Sequence, residues 1–113
     1  MQIRELTLSD GRILEVYTTD AVGAKAVVFH HGTPSCAKTW ESWIADLEEA
    51  GISAISYSRA GYSTSSRKAG RTVIDVNADI AEVLDILGVE EFVAVGWSGG
   101  GPHALANGLE SRC

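Results

Sequence analysis

The chain opens with two segments in which apolar and polar residues alternate. Ile3 to Leu8 and Ile13 to Tyr17 follow the two-residue period of strands that bury one face, and Ser9-Asp10-Gly11 lies between them. A short segment with a glycine between two such runs is a typical hairpin connection. The pattern therefore predicts an antiparallel hairpin at the start of the chain.

Three later segments are short runs of apolar and β-branched residues. They cover Ala26 to Phe29, Ile52 to Tyr57 and Phe92 to Val95. Continuous apolar runs of this length are typical of strands in a parallel sheet that is covered on both faces. We expect three more strands, the first and the last of them buried on both faces.

Apolar residues at helical spacing follow each of these three strands. The first helix has its apolar residues at Trp40, Trp43, Ile44, Leu47 and Ala50. Gly51 stands where a helix C-cap belongs, and we expect both tryptophans in the core. Thr72-x-x-Asp75 resembles a capping box that opens a second helix, which Gly88 ends. Gly100 to Glu110 is predicted to form a third.

The predicted order is β-β-β-α-β-α-β-α, a hairpin followed by alternating strands and helices. Such alternation predicts an α/β fold: a mostly parallel sheet with an N-terminal antiparallel hairpin and helices on both faces. At 113 residues the chain is expected to form one domain, spanning residues 1–113.

Charge and cysteine content exclude several classes of function. Nine Lys and Arg against 15 Asp and Glu give a net charge of −6, without a basic block, so neither nucleic acid nor an anionic membrane is an expected partner. Cys36 and Cys113 make no disulfide framework, and we expect no metal and no cofactor. The start of the chain lacks the apolar core of a signal peptide, so we expect a cytoplasmic protein.

The most informative motif is Gly96-Trp97-Ser98-Gly99-Gly100, which fits G-x-S-x-G. It lies between a predicted strand and a predicted helix, where this motif holds a serine on a sharp, strained turn. Glycines are expected at 96 and 100 because a Cβ there would collide with the neighbouring strand and helix. We therefore expect Ser98 to be a nucleophile with a positive φ angle. The alternative is a Gly-rich turn with an incidental serine, since the chain has 12 glycines.

A second motif, His31-Gly32-Thr33-Pro34, follows the strand that ends near His30. Acyl transfer to a serine needs two amide N–H groups aimed at the developing oxyanion. The amide of Gly99 is one candidate and the amide of Thr33 is the other. We expect His31 to shape this loop rather than to act as a base.

A different class of function also fits part of the chain. Gly99 to Ala104 matches G-x-G-x-x-A, the phosphate-binding pattern of nucleotide-binding βα units. Two features disfavour this reading, because the turn is not the first βα turn and no following strand offers an acidic residue for a ribose.

Taken together, the motifs resemble the N-terminal half of an α/β-hydrolase of the esterase and proline-iminopeptidase-like group. Three segments carry the resemblance: His31-Gly32-Thr33-Pro34, Tyr57-Ser58-Arg59-Ala60-Gly61-Tyr62-Ser63 and Gly96-Trp97-Ser98-Gly99-Gly100-Gly101-Pro102. The resemblance implies that Ser98 is the nucleophile and that the amides of Thr33 and Gly99 form the oxyanion hole. It implies hydrolysis of a small-molecule ester, amide or peptide. Ser58 and Ser63 depart from the family pattern, which commonly has Asp and Gly there.

In this family the acid and the histidine of the triad follow the serine. Only 15 residues follow Ser98, and His103 is too far along the helix to reach the serine. We therefore expect a partial α/β-hydrolase domain without its base and acid, either inactive alone or a non-catalytic fragment. The resemblance also places Phe92–Val95 in the middle of a larger sheet, so we expect this strand to be an exposed edge that promotes self-association.

Overall fold

The computed structural model describes all 113 residues, and the predicted order of elements is confirmed. The strands are β1 (Gln2–Thr7), β2 (Ile13–Thr18), β3 (Lys25–His30), β4 (Ser53–Tyr57) and β5 (Glu91–Gly96). The α-helices are α1 (Glu41–Glu49), α2 (Val76–Leu87) and α3 (Gly101–Ala106). Single 3₁₀ turns precede each helix, and a fourth follows α3.

The five strands form one mixed sheet in the order β1-β2-β4-β3-β5. The hairpin strands β1 and β2 are antiparallel, and β2 is antiparallel to β4. The strands β4, β3 and β5 run parallel, with His30 paired to Tyr57 on one side and to Gly96 on the other. The three parallel strands therefore end side by side, and the loops that follow them meet at one edge of the sheet.

Helices cover both faces of the sheet, as predicted. On one face, α1 buries a cluster that includes Phe29, Trp40 and Ile44. On the other face, α2 packs Ile80, Val83 and Leu84 into the larger core cluster. The two clusters hold the parallel strands between two layers of helix, so the loops at the strand ends stand on a rigid base.

The helix ends follow the local signals in the sequence. The carboxylate of Asp75 accepts a hydrogen bond from the Thr72 amide at 2.8 Å, which opens the turn before α2. Gly88 ends α2 with a φ of 74°, the left-handed conformation that glycine adopts without steric cost. None of the helices is long and apolar enough to cross a membrane.

Two of the expectations about burial are wrong. In β5 only Phe92 is buried, and the side chain of Val93 is 62% exposed, because β5 lies at the edge of the sheet. Trp40 is buried as expected, but Trp43 is 56% exposed. Its ring covers the outside of the α1 cluster, with its centroid 5.8 Å from the Trp40 ring.

Candidate active site

Ser98 lies at the apex of the turn between β5 and α3. Its φ angle is 52°, so the predicted positive φ is confirmed. A non-glycine residue in this region is strained by about 1–3 kcal/mol, which the surrounding packing must offset. The side chain of Ser98 is exposed, and no group in the chain hydrogen-bonds to its hydroxyl. The turn therefore presents a free hydroxyl to solvent.

The glycines on either side of this turn are required by close backbone packing. A Cβ on Gly96 would lie 2.5 Å from the carbonyl oxygen of Gly100. A Cβ on Gly100 would lie 2.1 Å from the carbonyl oxygen of His30, far inside contact distance. The turn can be this tight, and α3 can sit this close to β3, only without side chains at both positions.

The loop after β3 contacts the Ser98 turn directly. A Cβ built on Gly32 would lie 3.4 Å from the Cβ of Ser98 and 3.9 Å from its Oγ. A Cβ built on Gly99 would lie 3.3 Å from the amide nitrogen of Thr33. The Thr33 amide donates no hydrogen bond within the chain. The structure thus brings Ser98, Thr33 and Gly99 together, as the sequence analysis expected.

Ser98 and Thr33 border an open cleft of about 220 Å³. Its lining consists of Gly32, Thr33, Pro34, Ser35, Thr39, Trp97 and Ser98. Trp97 is the one hydrophobic residue of this lining, and its ring is half-exposed.

Both ring nitrogens of His31 are engaged in shaping the loop. Its Nδ1 donates to the carbonyl of Gly32 at 2.6 Å, and its Nε2 accepts the backbone amide of Arg59 at 3.0 Å. Burial lowers the pKa of His31 to about 4, so the ring is neutral at pH 7. His31 therefore has no free nitrogen to take a proton from Ser98.

Arg59 is buried and holds the same loop from the other side. Its guanidinium donates to the carbonyl of His31, to the carbonyl of Gly32 at 3.3 Å and to Oγ1 of Thr33 at 3.0 Å. Burial lowers the pKa of Arg59, but a guanidinium stays charged in proteins. The sequence analysis did not find these contacts, because they join residues 26–28 positions apart.

The side chain of His30 belongs to a buried hydrogen-bond network with Tyr57, Asn107 and Asn77. Asn77 Nδ2 donates to the Ala106 carbonyl at 2.9 Å, and Asn107 Nδ2 donates to Asn77 Oδ1 at 2.7 Å. His30 Nε2 therefore donates to Asn107 Oδ1 at 2.6 Å, and its Nδ1 accepts the Tyr57 hydroxyl at 2.7 Å. Burial lowers the pKa of His30 to about 4. This histidine is a structural group that ties β3 to α3.

His103, the third histidine, makes no hydrogen bond to the serine either. It is buried on α3, and its Nδ1 donates to the carbonyl of Gly99 at 2.8 Å. Burial lowers its pKa. None of the three histidines hydrogen-bonds to Ser98.

The two serines that depart from the family pattern are accommodated in different ways. Ser58 accepts the amide of Ala37, at the start of the turn before α1, and donates to the buried carboxylate of Glu15 at 2.6 Å. Ser63 has a φ of 50°, a conformation that a glycine would adopt without strain. Ser63 thus adopts the left-handed backbone conformation that favours glycine.

The geometry gives no support to a nucleotide site at the glycines of this turn. The space above Gly99 is filled by Thr33, and the space above Gly100 is filled by the backbone of His30. A pyrophosphate would need that space for close approach to the backbone. No cluster of three or more His, Cys, Asp or Glu side chains could hold a metal ion.

A family model described as the alpha/beta hydrolase fold matches residues 25–109. The chain belongs to the α/β-hydrolase family. A non-heme haloperoxidase of Rhodococcus erythropolis is 33% identical over 97 residues, which are 85% of this chain and 35% of the relative. The chain thus spans about a third of the length of this curated relative.

Solved structures of α/β-hydrolases share the same fold. An esterase of Exiguobacterium antarcticum superposes with a TM-score of 0.79 at 28% identity, covering 95% of this chain and 40% of the esterase. An epoxide hydrolase of Vigna radiata superposes with a TM-score of 0.83 at 22% identity, covering 98% of this chain and 35% of that enzyme. The resemblance that the motifs indicated is therefore confirmed.

Proposed function

We propose that this chain carries the nucleophile and the oxyanion hole of a serine hydrolase. The substrate would be a small-molecule ester, amide or peptide, and the reaction would pass through an acyl-enzyme on Ser98. The observation that carries the proposal is the exposed hydroxyl of Ser98 at a φ of 52°, in a cleft that Thr33 also lines. The similarity to an esterase supports an ester as substrate.

In this proposal the oxyanion forms between two backbone amides. The Thr33 amide has no acceptor within the chain, so it is available to an oxygen in the cleft. Gly99 supplies the second amide, at the start of the helical segment that follows Ser98. Two such donors stabilise the charge that develops on a carbonyl oxygen during acyl transfer.

The histidines of this chain do not complete a catalytic triad. His30 and His31 each use both ring nitrogens elsewhere, and His103 is bonded to the Gly99 carbonyl. A serine hydroxyl without a base is a weak nucleophile at neutral pH. We therefore propose that the 113-residue chain alone hydrolyses activated esters only slightly above background and that the base and acid come from residues outside it.

The test is hydrolysis of p-nitrophenyl acetate by this chain and by its Ser98→Ala variant. We expect a slow reaction in the first and none above background in the second. Losing triad members removes most of the rate of a serine hydrolase, so we expect the difference between the two chains to be small. Equal rates in both chains would contradict the assignment of Ser98. Rapid turnover that needs Ser98 would contradict the proposed absence of a base.

We also propose a cytoplasmic location. Both cysteines, Cys36 and Cys113, are free thiols, which fits a reducing compartment. Fractionation of the source cells tests this, and recovery from the medium or the membrane fraction would contradict it.

A further inference from the structure

We propose that Arg59 is the positioning residue of the oxyanion hole, and that it sets the direction of the Thr33 N–H. This inference rests on the proposed function of the cleft. Arg59 does not border the cleft, so it would act through the loop and not on the substrate.

The loop that carries Thr33 has no backbone support of its own. No backbone–backbone hydrogen bond involves residues 31–35, although they lie between a strand and a helical turn. A loop without such bonds is held in one conformation only if side chains fix it. The bonds that fix this loop to the rest of the chain come mainly from the side chain and the backbone amide of Arg59.

The carbonyl of Gly32 and the N–H of Thr33 belong to the same peptide group. A trans peptide is planar, so its C=O and N–H point in opposite directions. The guanidinium of Arg59 and Nδ1 of His31 both donate to the Gly32 carbonyl, at 3.3 and 2.6 Å. Because these two donors hold the Gly32 carbonyl in one direction, the Thr33 N–H is held in the opposite direction.

The hydrogen bonds to the Gly32 carbonyl also make the Thr33 N–H a stronger hydrogen-bond donor. A peptide whose carbonyl accepts hydrogen bonds becomes more polarised, and a charged donor strengthens this effect. Arg59 is a permanent cation in a buried position. The same contacts that aim the Thr33 N–H would thus make it a better donor to an oxyanion.

The hydroxyl of Thr33 links Arg59 to Gly99, which carries the second amide of the proposed oxyanion hole. Arg59 donates to this hydroxyl at 3.0 Å. A Cβ on Gly99 would lie only 2.8 Å from the same oxygen, so the hydroxyl rests against Gly99. Arg59 therefore sets the spacing between the loop of Thr33 and the turn of Ser98 and Gly99.

The first experiment compares Arg59→Lys with Arg12→Lys by NMR of the full 113-residue chain. Both replacements keep the charge and remove a guanidinium fork, but Arg12 bonds to Asp10 and Asp79 and not to the loop. We expect the Thr33 amide resonance to move and its order to fall in Arg59→Lys. We expect both to stay unchanged in Arg12→Lys. An unchanged Thr33 amide in Arg59→Lys would overturn the proposal.

The second readout is the rate at which a fluorophosphonate labels Ser98, followed by mass spectrometry, with imidazole added to supply the base that the chain lacks. The serine oxygen bonds to phosphorus and fluoride leaves, while the added imidazole takes the hydroxyl proton. The phosphoryl oxygen enters the oxyanion hole. We expect about tenfold slower labelling in Arg59→Lys, less than the 10²–10³-fold cost of deleting an oxyanion donor. Arg12→Lys should label at the rate of the unmodified chain. Equal rates in all three chains would overturn the role in the oxyanion hole.

A second pair of variants avoids the risk that Arg59→Lys does not fold. Thr33 is exposed, so Thr33→Val removes the hydroxyl that Arg59 holds without disturbing the core. We expect Thr33→Val to slow labelling several-fold and Thr33→Ser to restore it. Normal labelling in Thr33→Val would overturn the link through the hydroxyl.

Failure of the proposed function gives a different result. If Ser98 of the unmodified chain is not labelled even when imidazole is added as the base, the proposed function fails. A shifted Thr33 amide resonance in Arg59→Lys would then still support the role of Arg59 in fixing the loop of Thr33.

Discussion

Replacing Gly100 with alanine tests the packing that shapes the candidate site. Gly100 has a φ of −77°, which alanine adopts freely, so any effect comes from the added methyl group. That methyl would lie 2.1 Å from the His30 carbonyl oxygen and 2.7 Å from that of His31. Since both neighbours are backbone atoms, α3 and the loop after β3 would have to separate by about 1 Å, given that real Cβ contacts stay above 3.0 Å.

The matched control is Gly101→Ala, one residue further along. A Cβ there has no neighbour within 4 Å. We expect this variant to gain up to about 1 kcal/mol in the free energy of unfolding, from the higher helix propensity of alanine. Gly100→Ala should lose about 2–3 kcal/mol, the upper part of the range for overpacking.

Urea unfolding followed by tryptophan fluorescence measures both variants. Labelling of Ser98 by a fluorophosphonate gives the functional consequence. A displacement of about 1 Å can cost about 10²-fold in rate, so we expect Gly100→Ala to label far more slowly than Gly101→Ala. If the two variants unfold at the same urea concentration, the account of why glycine is required at position 100 is wrong.

Three further predictions concern other parts of the chain. The pKa of His30 is about 4 against 6.5 for an unperturbed histidine, so the unfolded state binds its proton first as the pH falls. The free energy of unfolding should therefore fall between pH 6.5 and 4, with His30 contributing up to about 1.4 kcal/mol per pH unit, and urea titrations should show a shallower fall in His30→Gln. Stability should follow the order Ser63→Gly, then the unmodified chain, then Ser63→Val, since a β-branched residue is disfavoured at a φ of 50°; the reverse order in thermal melts would contradict this. We expect the free edge of β5 to cause self-association that Val93→Lys reduces, because charge on an edge strand opposes pairing, and sedimentation showing a monomer at all concentrations would refute it.

Local sequence signals predicted the elements and the conformation of the turn that holds Ser98. The glycine at position 88 stops α2, and the carboxylate of Asp75 opens the turn before it. The positive φ of Ser98 followed from the motif, because its small neighbours allow β5 and α3 to meet closely. These features depend on residues near one another in the chain, so the sequence displays them directly.

Features that depend on distant partners could not be predicted. Periodicity identifies strands but not their neighbours, so it did not show that β4 lies between β2 and β3. The same limit applies to Val93, which is exposed only because no strand covers β5 in this chain. The contacts of Arg59 with the loop of Thr33 and the hydrogen bond of His30 with Asn107 also join distant residues, and no local pattern marks them.

The most direct test of the proposed site is a crystal structure of the chain after reaction with a phosphonate ester. The phosphonyl group imitates the tetrahedral intermediate, and its free oxygen stands for the oxyanion. The account predicts a bond from phosphorus to Ser98 Oγ and a phosphonyl oxygen about 2.7–3.1 Å from the amides of Thr33 and Gly99. A phosphonyl oxygen pointing to solvent, or an adduct on a residue other than Ser98, would contradict it.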